Sequence, residues 1–195
     1  ACYGEILSLA RYRCETAGNY GLPENPLSPF NDHLSPYGHN LPPEFFASAF
    51  YCYMLKITAQ IAEILEDFKT ADEFHQKLQP AIDEFNRRYY ITEEEDYSPH
   101  LQSALVFALA FGLAPAGKEK ALAAKLNEAI LACGHLDTGY GSTRYLMNVL
   151  CDYGYLDTAF MLLDRTDFPS WRYILNTGAT TMTESWNGMA SSDGS

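Results

Sequence analysis

The segment that decides the fold is Leu101 to Leu113, LQSALVFALAFGL, which is apolar on nearly every side. A helix of this composition has no polar face to turn toward water, so we expect it to lie in an inner layer of the protein. The next segment, Gly117 to Cys133, alternates Lys and Glu with Ala and Leu, which is typical of an exposed outer helix. Together the two segments predict a hairpin made of one inner and one outer helix.

Further helices are predicted on both sides of this hairpin, because apolar residues recur there at helical spacing. Thr70 and Glu73 have the spacing of a capping box, which predicts that a helix begins at Thr70. No strand-like alternation of useful length is present, so the sequence predicts an all-α fold of helix hairpins. The further helices are expected at Glu5 to Thr16, Pro43 to Phe68, Thr70 to Tyr90, Thr143 to Tyr153, Leu156 to Leu163 and Ser170 to Asn176.

Length and charge restrict the class of protein. The 195 residues are enough for a single domain over residues 1–195 with one sizeable core. The net charge of −12, from 13 Lys and Arg against 25 Asp and Glu, disfavours nucleic acid as a partner. No apolar run reaches the roughly 20 residues that a membrane span needs, so no membrane partner is expected. No signal peptide is visible at the start of the sequence.

The cysteines and histidines give no support for a metal or a cofactor. Five cysteines are scattered without a CxxC pair or a Cys/His spacing typical of zinc, and no HExxH or phosphate-binding glycine motif occurs. Three of the cysteines lie on apolar helical stretches, where we expect small buried hydrophobic residues. Unpaired cysteines favour a reducing compartment, and hence the cytoplasm.

Four loops attract attention as sites of chemistry. Asn19 to Pro43 is too long for a mere connection and holds six prolines with several aromatic and histidine residues, which favours a functional loop. Glycine-bounded loops occur at Gly134 to Tyr140 and Gly178 to Gly188, and a shorter loop at Phe168 to Trp171. Within the loop from Gly178 to Gly188, Glu184 lies among small hydroxyl residues and near a tryptophan. From its chemistry, this glutamate is either a catalytic carboxylate in a sugar site, with Trp171 or Trp186 as a stacking wall, or a residue at a helix start.

Two spaced motifs carry a resemblance to a known family. Gly134 to Tyr140, GHLDTGY, opens a run to Ala159 that is similar to GHLxTGFxGTxYLLxVLSDNGHxDLAY. The FPSW of Phe168 to Trp171 and the GATTMTESWNG of Gly178 to Gly188 are similar to YPSW and GATTIWERWDG. Leu101 to Pro115 is similar to TAYALALxFGLLP. In these features the chain resembles the catalytic domain of bacterial α-L-rhamnosidases of glycoside hydrolase family 78.

The resemblance implies a six-hairpin α/α toroid with a sugar pocket at one mouth. Members of this family remove terminal α-L-rhamnose from glycans or glycosides with inversion of configuration, and the glutamate that acts as general base aligns with Glu184. The general acid belongs to a motif that precedes this sequence, so we expect the chain to be part of a longer polypeptide and to be inactive alone.

The resemblance also implies the residues that bind the carbohydrate. A glycine-aspartate-tryptophan stretch that stacks on sugar corresponds to Asn31, Asp32 and His33, so a histidine stands where the family has tryptophan. The expected substrate-binding residues are Asp32, His33, His135, Trp171 and Trp186. The chain also departs from the family pattern around the base, at Thr183, Ser185 and Asn187.

Three other interpretations stay open at this point. The chain could belong to another α/α-toroid glycosidase with a different sugar, to a helical-repeat scaffold without chemistry, or to a module that binds sugar without cleaving it. No repeat of fixed period is visible, which disfavours the scaffold.

An active site makes two demands on the loops. Asp32, His33, the loop from His135 to Tyr140, Trp171 and Glu184 should gather at one end of the helix array. The carboxylate of Glu184 should face a cavity without a salt-bridge partner and should accept hydrogen bonds from Thr180, Thr181 or Thr183.

Overall fold

Helices dominate the computed structural model, which describes residues 2–18 and 31–188. The predicted functional loop, Asn19 to Pro43, is therefore described only from Asn31 onward. Two strands of two residues each, β1 (Tyr90–Ile91) and β2 (Asp96–Tyr97), pair as a small sheet. The all-α prediction is confirmed. The helices in the described ranges are α1 (Tyr3–Glu15), α2 (Pro43–Ile64), α3 (Phe68–Tyr89), α4 (Gln102–Phe111), α5 (Glu119–Cys133), α6 (Tyr140–Asp152), α7 (Leu156–Asp164) and α8 (Trp171–Asn176).

The chain divides into two compact units. Unit 1 consists of Ala1–Pro29 and Pro43–Tyr90, and unit 2 of Phe30–Pro42 and Ile91–Ser195. A single domain over residues 1–195 stays a prediction. No helix of the described residues is long and apolar enough to cross a membrane.

Unit 1 is built on the hairpin of α2 and α3. The rings of Phe45, Phe85 and Tyr89 pack with centroids 4.9 to 5.1 Å apart, and both phenylalanines are fully buried. The prediction that α3 begins at Thr70 is wrong. The helix begins at Phe68, because the carboxylate of Asp67 accepts a hydrogen bond from the backbone N–H of Thr70 at 3.2 Å and caps the first turn.

Unit 2 has α4 at its centre. Eight of the nine residues from Gln102 to Ala110 are buried, including Leu105 and Leu109, which confirms the predicted inner helix. The neighbouring α5 buries Leu122, Leu126 and Ile130 and leaves Lys120 exposed, which confirms the predicted outer helix. The loops at the two ends of α4 are therefore attached to a rigid inner helix, which can hold their side chains in place.

The prediction of three buried cysteines on apolar helices is wrong. Cys52 of α2 is the one cysteine of the five with no exposed surface, whereas Cys133 and Cys151 are exposed and Cys14 is half-buried. Cys133 is the last residue of α5 and Cys151 is the last but one of α6, and the final residues of both helices, 131–133 and 151–152, are exposed. All five thiols are free.

Candidate active site

Glu184 lies at the mouth of a cavity of roughly 250 Å³ in unit 2. The walls come from the first turns of α6, from α8, and from the loop that follows α8. The side chain of Glu184 is exposed, so water can reach its carboxylate. The residues that line this cavity are Tyr140, Thr143, Arg144, Trp171, Ile174, Met182, Thr183, Glu184, Ser185 and Trp186.

The two tryptophans form the apolar wall of the cavity. Their ring centroids are 5.6 Å apart and their planes are inclined at 74°, which is the edge-to-face arrangement that aromatic pairs prefer. Trp171 begins α8, whose first turn is capped by Ser170, because the Ser170 hydroxyl accepts from the N–H of Tyr173 at 3.0 Å. Trp186 is buried behind it. The pair offers a large, rigid surface to an apolar face of a ligand.

A second cavity, of roughly 370 Å³, shares Tyr140, Met182 and Glu184 with the first. Its other lining residues are His33 and Leu34. The structure therefore brings His33, Trp171, Trp186 and Glu184 together around one pair of cavities, as the sequence predicts. These residues come from three separate loops of unit 2.

Asp32 and His135 line neither cavity. Asp32 is fully buried, and its carboxylate accepts hydrogen bonds from inside the protein. The ring of His135 packs against Tyr37, with centroids 4.9 Å apart. Direct contact of Asp32 or His135 with a substrate stays a prediction.

The predicted hydrogen-bond donors to Glu184 are wrong for two of the three threonines. The hydroxyl of Thr183 donates to the carbonyl of Ser185 at 2.6 Å, and that of Thr181 donates to the carbonyl of Met182 at 3.4 Å. A hydroxyl carries a single proton, so neither can also donate to Glu184. Among the described residues, no Lys, Arg or His nitrogen lies within ion-pair distance of the Glu184 carboxylate.

The loop that carries Glu184 ends at a position that only glycine fits. Gly188 has φ +63°, and a Cβ atom there would lie 2.4 Å from the Oγ1 atom of Thr177. The end of α8 and the end of the loop are therefore in direct contact. This contact brings the two ends of the segment from Gly178 to Gly188 close together.

Tyr140, Thr143 and Arg144 also line the cavity. The first belongs to a loop that the sequence predicts at the site, and the other two are residues that the sequence reasoning missed. All three sit at positions i, i+3 and i+4 of α6, so they share one face of its first turns. Because the GHLDTGY motif ends at Tyr140, the residues three and four positions further along the helix could have been predicted from this spacing. Arg144 lines the same cavity as Glu184, and its Cζ atom lies 5.6 Å from the ring centroid of Tyr145.

The site holds no cluster typical of a metal centre. No group of three or more His, Cys, Asp or Glu side chains that could bind a metal ion occurs in the part of the chain that the structure describes. The cavity is lined by one exposed carboxylate residue, Glu184, and by the aromatic side chains of Tyr140, Trp171 and Trp186.

Comparison with known families decides the class of protein to which this site belongs. The family model of the bacterial α-L-rhamnosidase six-hairpin glycosidase domain matches residues 2–195. The chain belongs to this family. Its helices, with α4 inside and α5 outside, are therefore hairpins of the α/α-toroid fold of the six-hairpin glycosidases.

Individual relatives agree with this assignment. An α-L-rhamnosidase from Formosa agariphila is 30% identical over 178 residues, which are 86% of this chain and 19% of that protein. An α-L-rhamnosidase from Streptomyces avermitilis is 30% identical over 164 residues, which are 83% of this chain and 15% of that protein. The chain therefore spans only 15 to 19% of the length of these two curated relatives.

Two solved structures of α-L-rhamnosidases have the same fold. The crystal structure of Streptomyces avermitilis α-L-rhamnosidase complexed with L-rhamnose superposes with a TM-score of 0.85 and 30% identity, covering 95% of this chain and 17% of that one. The native α-L-rhamnosidase from Aspergillus terreus gives a TM-score of 0.85 at 23% identity, covering 99% of this chain and 23% of that one, which supports the fold alone.

Proposed function

We propose that the protein containing this chain is an inverting α-L-rhamnosidase in which Glu184 is the general base. The observation that carries the proposal is the placement of Glu184, which stands exposed in a cavity beside Trp171 and Trp186 in a chain of this family. The curated relatives that match most of the chain are α-L-rhamnosidases, which supports the same substrate.

The surroundings of Glu184 suit a carboxylate that must accept a proton. A general base needs free lone pairs and contact with water. The hydroxyls of Thr181 and Thr183 donate elsewhere, and no ion pair reaches Glu184 among the described residues, so its oxygens are left to hydrogen-bond a water molecule.

The proposed reaction breaks one bond and forms another at the anomeric carbon. A water molecule held by Glu184 attacks that carbon from the face opposite the leaving group, and Glu184 takes the proton that the water loses. A general acid outside this chain gives its own proton to the departing glycosidic oxygen. In inverting glycosidases the two carboxyl groups are roughly 6.5–9.5 Å apart, which leaves room for the water.

The apolar wall suits a deoxy sugar. L-Rhamnose carries a methyl group where common hexoses carry a hydroxymethyl group, so it presents more apolar surface. Trp171, Trp186, Ile174 and Met182 supply matching apolar surface in one cavity. His33 adds a polar edge to the second cavity, which Glu184 also lines.

Hydrolysis of p-nitrophenyl α-L-rhamnoside by the full-length protein tests the proposal, with the product followed by proton NMR. We expect β-L-rhamnose as the first product, because attack by water inverts the anomeric centre. Release of α-L-rhamnose would contradict the inverting mechanism. Hydrolysis of another aryl glycoside in place of the rhamnoside would support a different α/α-toroid glycosidase, and binding without hydrolysis would support a sugar-binding module.

A further inference from the structure

Helix α6 begins without a capping side chain of its own. Its N-cap residue is Gly139, which has no side chain to accept hydrogen bonds from the first turn. The buried carboxylate of Asp32 takes that role from more than a hundred residues away. Its Oδ2 atom accepts from the N–H of Gly139 at 3.1 Å, and its Oδ1 atom accepts from the N–H of Ser142 at 2.9 Å.

Two serines complete the arrangement around Asp32. The hydroxyl of Ser142 donates to the Asp32 carboxylate, and the hydroxyl of Ser103 on α4 lies 2.8 Å from that of Ser142. Asp32, Ser103 and Ser142 are all buried. The carboxylate is therefore fully engaged within the protein, and its negative charge lies at the positive end of the α6 dipole.

The backbone of Asp32 lies directly against Gly139. A Cβ atom on Gly139 would lie 2.3 Å from the carbonyl oxygen of Asp32 and 2.5 Å from its Cγ atom. No side chain can occupy that space. Gly139, the second glycine of the GHLDTGY motif, is required because the Asp32 segment lies directly against it.

This contact ties together two walls of the candidate site. Directly after Asp32, the carbonyl of His33 accepts a hydrogen bond from the N–H of Tyr140 at 2.9 Å. His33 and Tyr140 line the cavity that contains Glu184, whereas Asp32 itself does not. The separation of His33 from Tyr140 is thus fixed by the buried carboxylate one residue away.

We infer that Asp32 is a positioning residue: it holds the start of α6 against the Asp32–His33 segment and thereby fixes the positions of His33 and Tyr140 in the cavity that Glu184 also lines. The inference rests on the proposed function, since its main readout is turnover of a rhamnoside. It assigns Asp32 a role different from the direct sugar contact that the family resemblance predicts. A misplacement of about 1 Å in such a wall can cost 10²-fold in rate.

Asp32→Asn in the full-length protein tests the inference, with Asp67→Asn as the matched control. Asparagine keeps the shape of the side chain but replaces one acceptor oxygen by a donor, so either the N–H of Gly139, which the Ser103 hydroxyl also accepts at 3.2 Å, or the N–H of Ser142 loses the acceptor that Asp32 supplies. Asp67 also caps a helix, but it caps α3 in unit 1 and lines neither cavity. We expect Asp32→Asn to lower kcat by about 10²-fold with little change in KM, and Asp67→Asn to leave both unchanged.

Two outcomes would overturn the inference. A rise in KM with kcat preserved would mean that Asp32 contacts the sugar directly, because loss of uniform binding raises KM alone. A lower melting temperature with unchanged kcat and KM in the folded protein would mean that Asp32 serves stability only.

Ser142→Ala supplies a gentler second variant, because it removes one hydrogen bond to Asp32 and leaves the carboxylate in place. We expect kcat to fall in the same direction. The double variant should lose less than the product of the two single losses, since both act through one contact. Independent, multiplying losses would contradict the shared mechanism.

Failure of the proposed function looks different from failure of the inference. If the wild type hydrolyses no α-L-rhamnoside, the proposed function fails and hydrogen exchange decides the inference. We then expect Asp32→Asn to speed exchange of the amides in the first turn of α6, at Tyr140 to Thr143, and Asp67→Asn to leave them unchanged. Unchanged exchange there after Asp32→Asn would overturn the inference.

Discussion

Two glutamates show how differently one chain can use the same functional group. Glu84 on α3 is buried and accepts three hydrogen bonds, from the Nε and Nη2 atoms of Arg87 at 2.6 and 2.7 Å and from the Nε atom of Arg88 at 2.6 Å. Glu184 is exposed in a cavity, and no ion pair reaches it within the described residues.

The difference lies in what each carboxylate can still accept. The two hydrogen bonds from Arg87, and then the one from Arg88, lower the pKa of Glu84 to about 2. Its lone pairs are occupied, so it is a poor base and serves to hold the end of α3. Glu184 keeps its lone pairs for water. A carboxylate that is left unpaired in a cavity is thus the better candidate for chemistry than one that is fully engaged.

The largest expected effect is on Glu184. Glu184→Gln keeps the shape of the side chain but cannot take a proton, so kcat for an aryl α-L-rhamnoside should fall by about 10²–10⁴-fold with little change in KM. The unfolding midpoint should stay near that of the wild type, because no partner is lost. Steady-state kinetics and thermal unfolding on the same samples check both statements.

Azide provides a control for the role of Glu184 as a base. A small anion needs no base, so azide should restore turnover in the Glu184→Gln variant and give a glycosyl azide of inverted configuration. Near-full activity of the variant without azide would mean that Glu184 is not the general base, and the contrast with Glu84 would disappear.

Glu84→Gln should show the opposite pattern, with activity kept and stability reduced. At neutral pH we expect a loss of about 1 kcal/mol in unfolding free energy, a modest figure because Arg87 is largely exposed to solvent. The folded-state pKa of about 2 lies below the ordinary value of 4.5. The stabilisation is therefore complete above about pH 4.5 and is lost as the pH falls toward 2.

Denaturant unfolding between pH 2 and pH 7 tests this assignment. The wild type should lose stability as the pH falls through this window, and the Glu84→Gln variant should lose less. Parallel curves for the two proteins would show that the guanidinium groups of Arg87 and Arg88 do not stabilise the ionised Glu84.

A smaller effect is expected at Thr183. Because its hydroxyl donates to the carbonyl of Ser185 and not to Glu184, Thr183→Ala should cost about 0.5–1 kcal/mol of stability and leave kcat nearly unchanged. Thr181→Ala, at the longer hydrogen bond to Met182, is the matched control. A fall in kcat for Thr183→Ala but not for Thr181→Ala would mean that the Thr183 hydroxyl takes part in catalysis.

The smallest effect should come from Glu73, which pairs with Arg11 at 3.0 Å on an exposed surface of unit 1. Glu73→Gln should change the unfolding free energy by about 0.5 kcal/mol or less, since such pairs are screened by water and salt. Thermal unfolding at low and high ionic strength measures the change. A loss as large as that for Glu84→Gln would mean that the buried Glu84 ion pairs contribute no more stability than the exposed pair of Glu73 and Arg11.

Local periodicity predicted most of the fold, because an inner helix such as α4 and an outer helix such as α5 differ in composition along their whole length. The cap of α3 was misjudged by three residues, since Asp67 and Thr70 are both good cap residues and only the structure shows which one accepts the bond. The exposure of Cys133 and Cys151 was missed because helical periodicity does not show that the last residues of α5 and α6 lie outside the core.

For the candidate site, the sequence predicted which residues lie near Glu184 better than it predicted the hydrogen bonds around Glu184. Motifs placed His33, Trp171 and Trp186 near it, since each lies on a loop of the expected kind. The cap of α6 by Asp32 joins residues 107 positions apart, so no local pattern could indicate it. Which carbonyl accepts from Thr183 depends on the path of the loop, and a pattern of residue types does not contain that path.

The edge-to-face pair of indoles has a spectroscopic consequence. The chain contains two tryptophans, and both lie in the wall of the cavity with Glu184. Two indole transition dipoles 5.6 Å apart couple to each other, so their near-ultraviolet circular dichroism depends on their mutual orientation. All of the indole signal from this stretch of the polypeptide thus originates at the candidate site. A ligand that changes the orientation of the two rings would therefore change the near-ultraviolet circular dichroism.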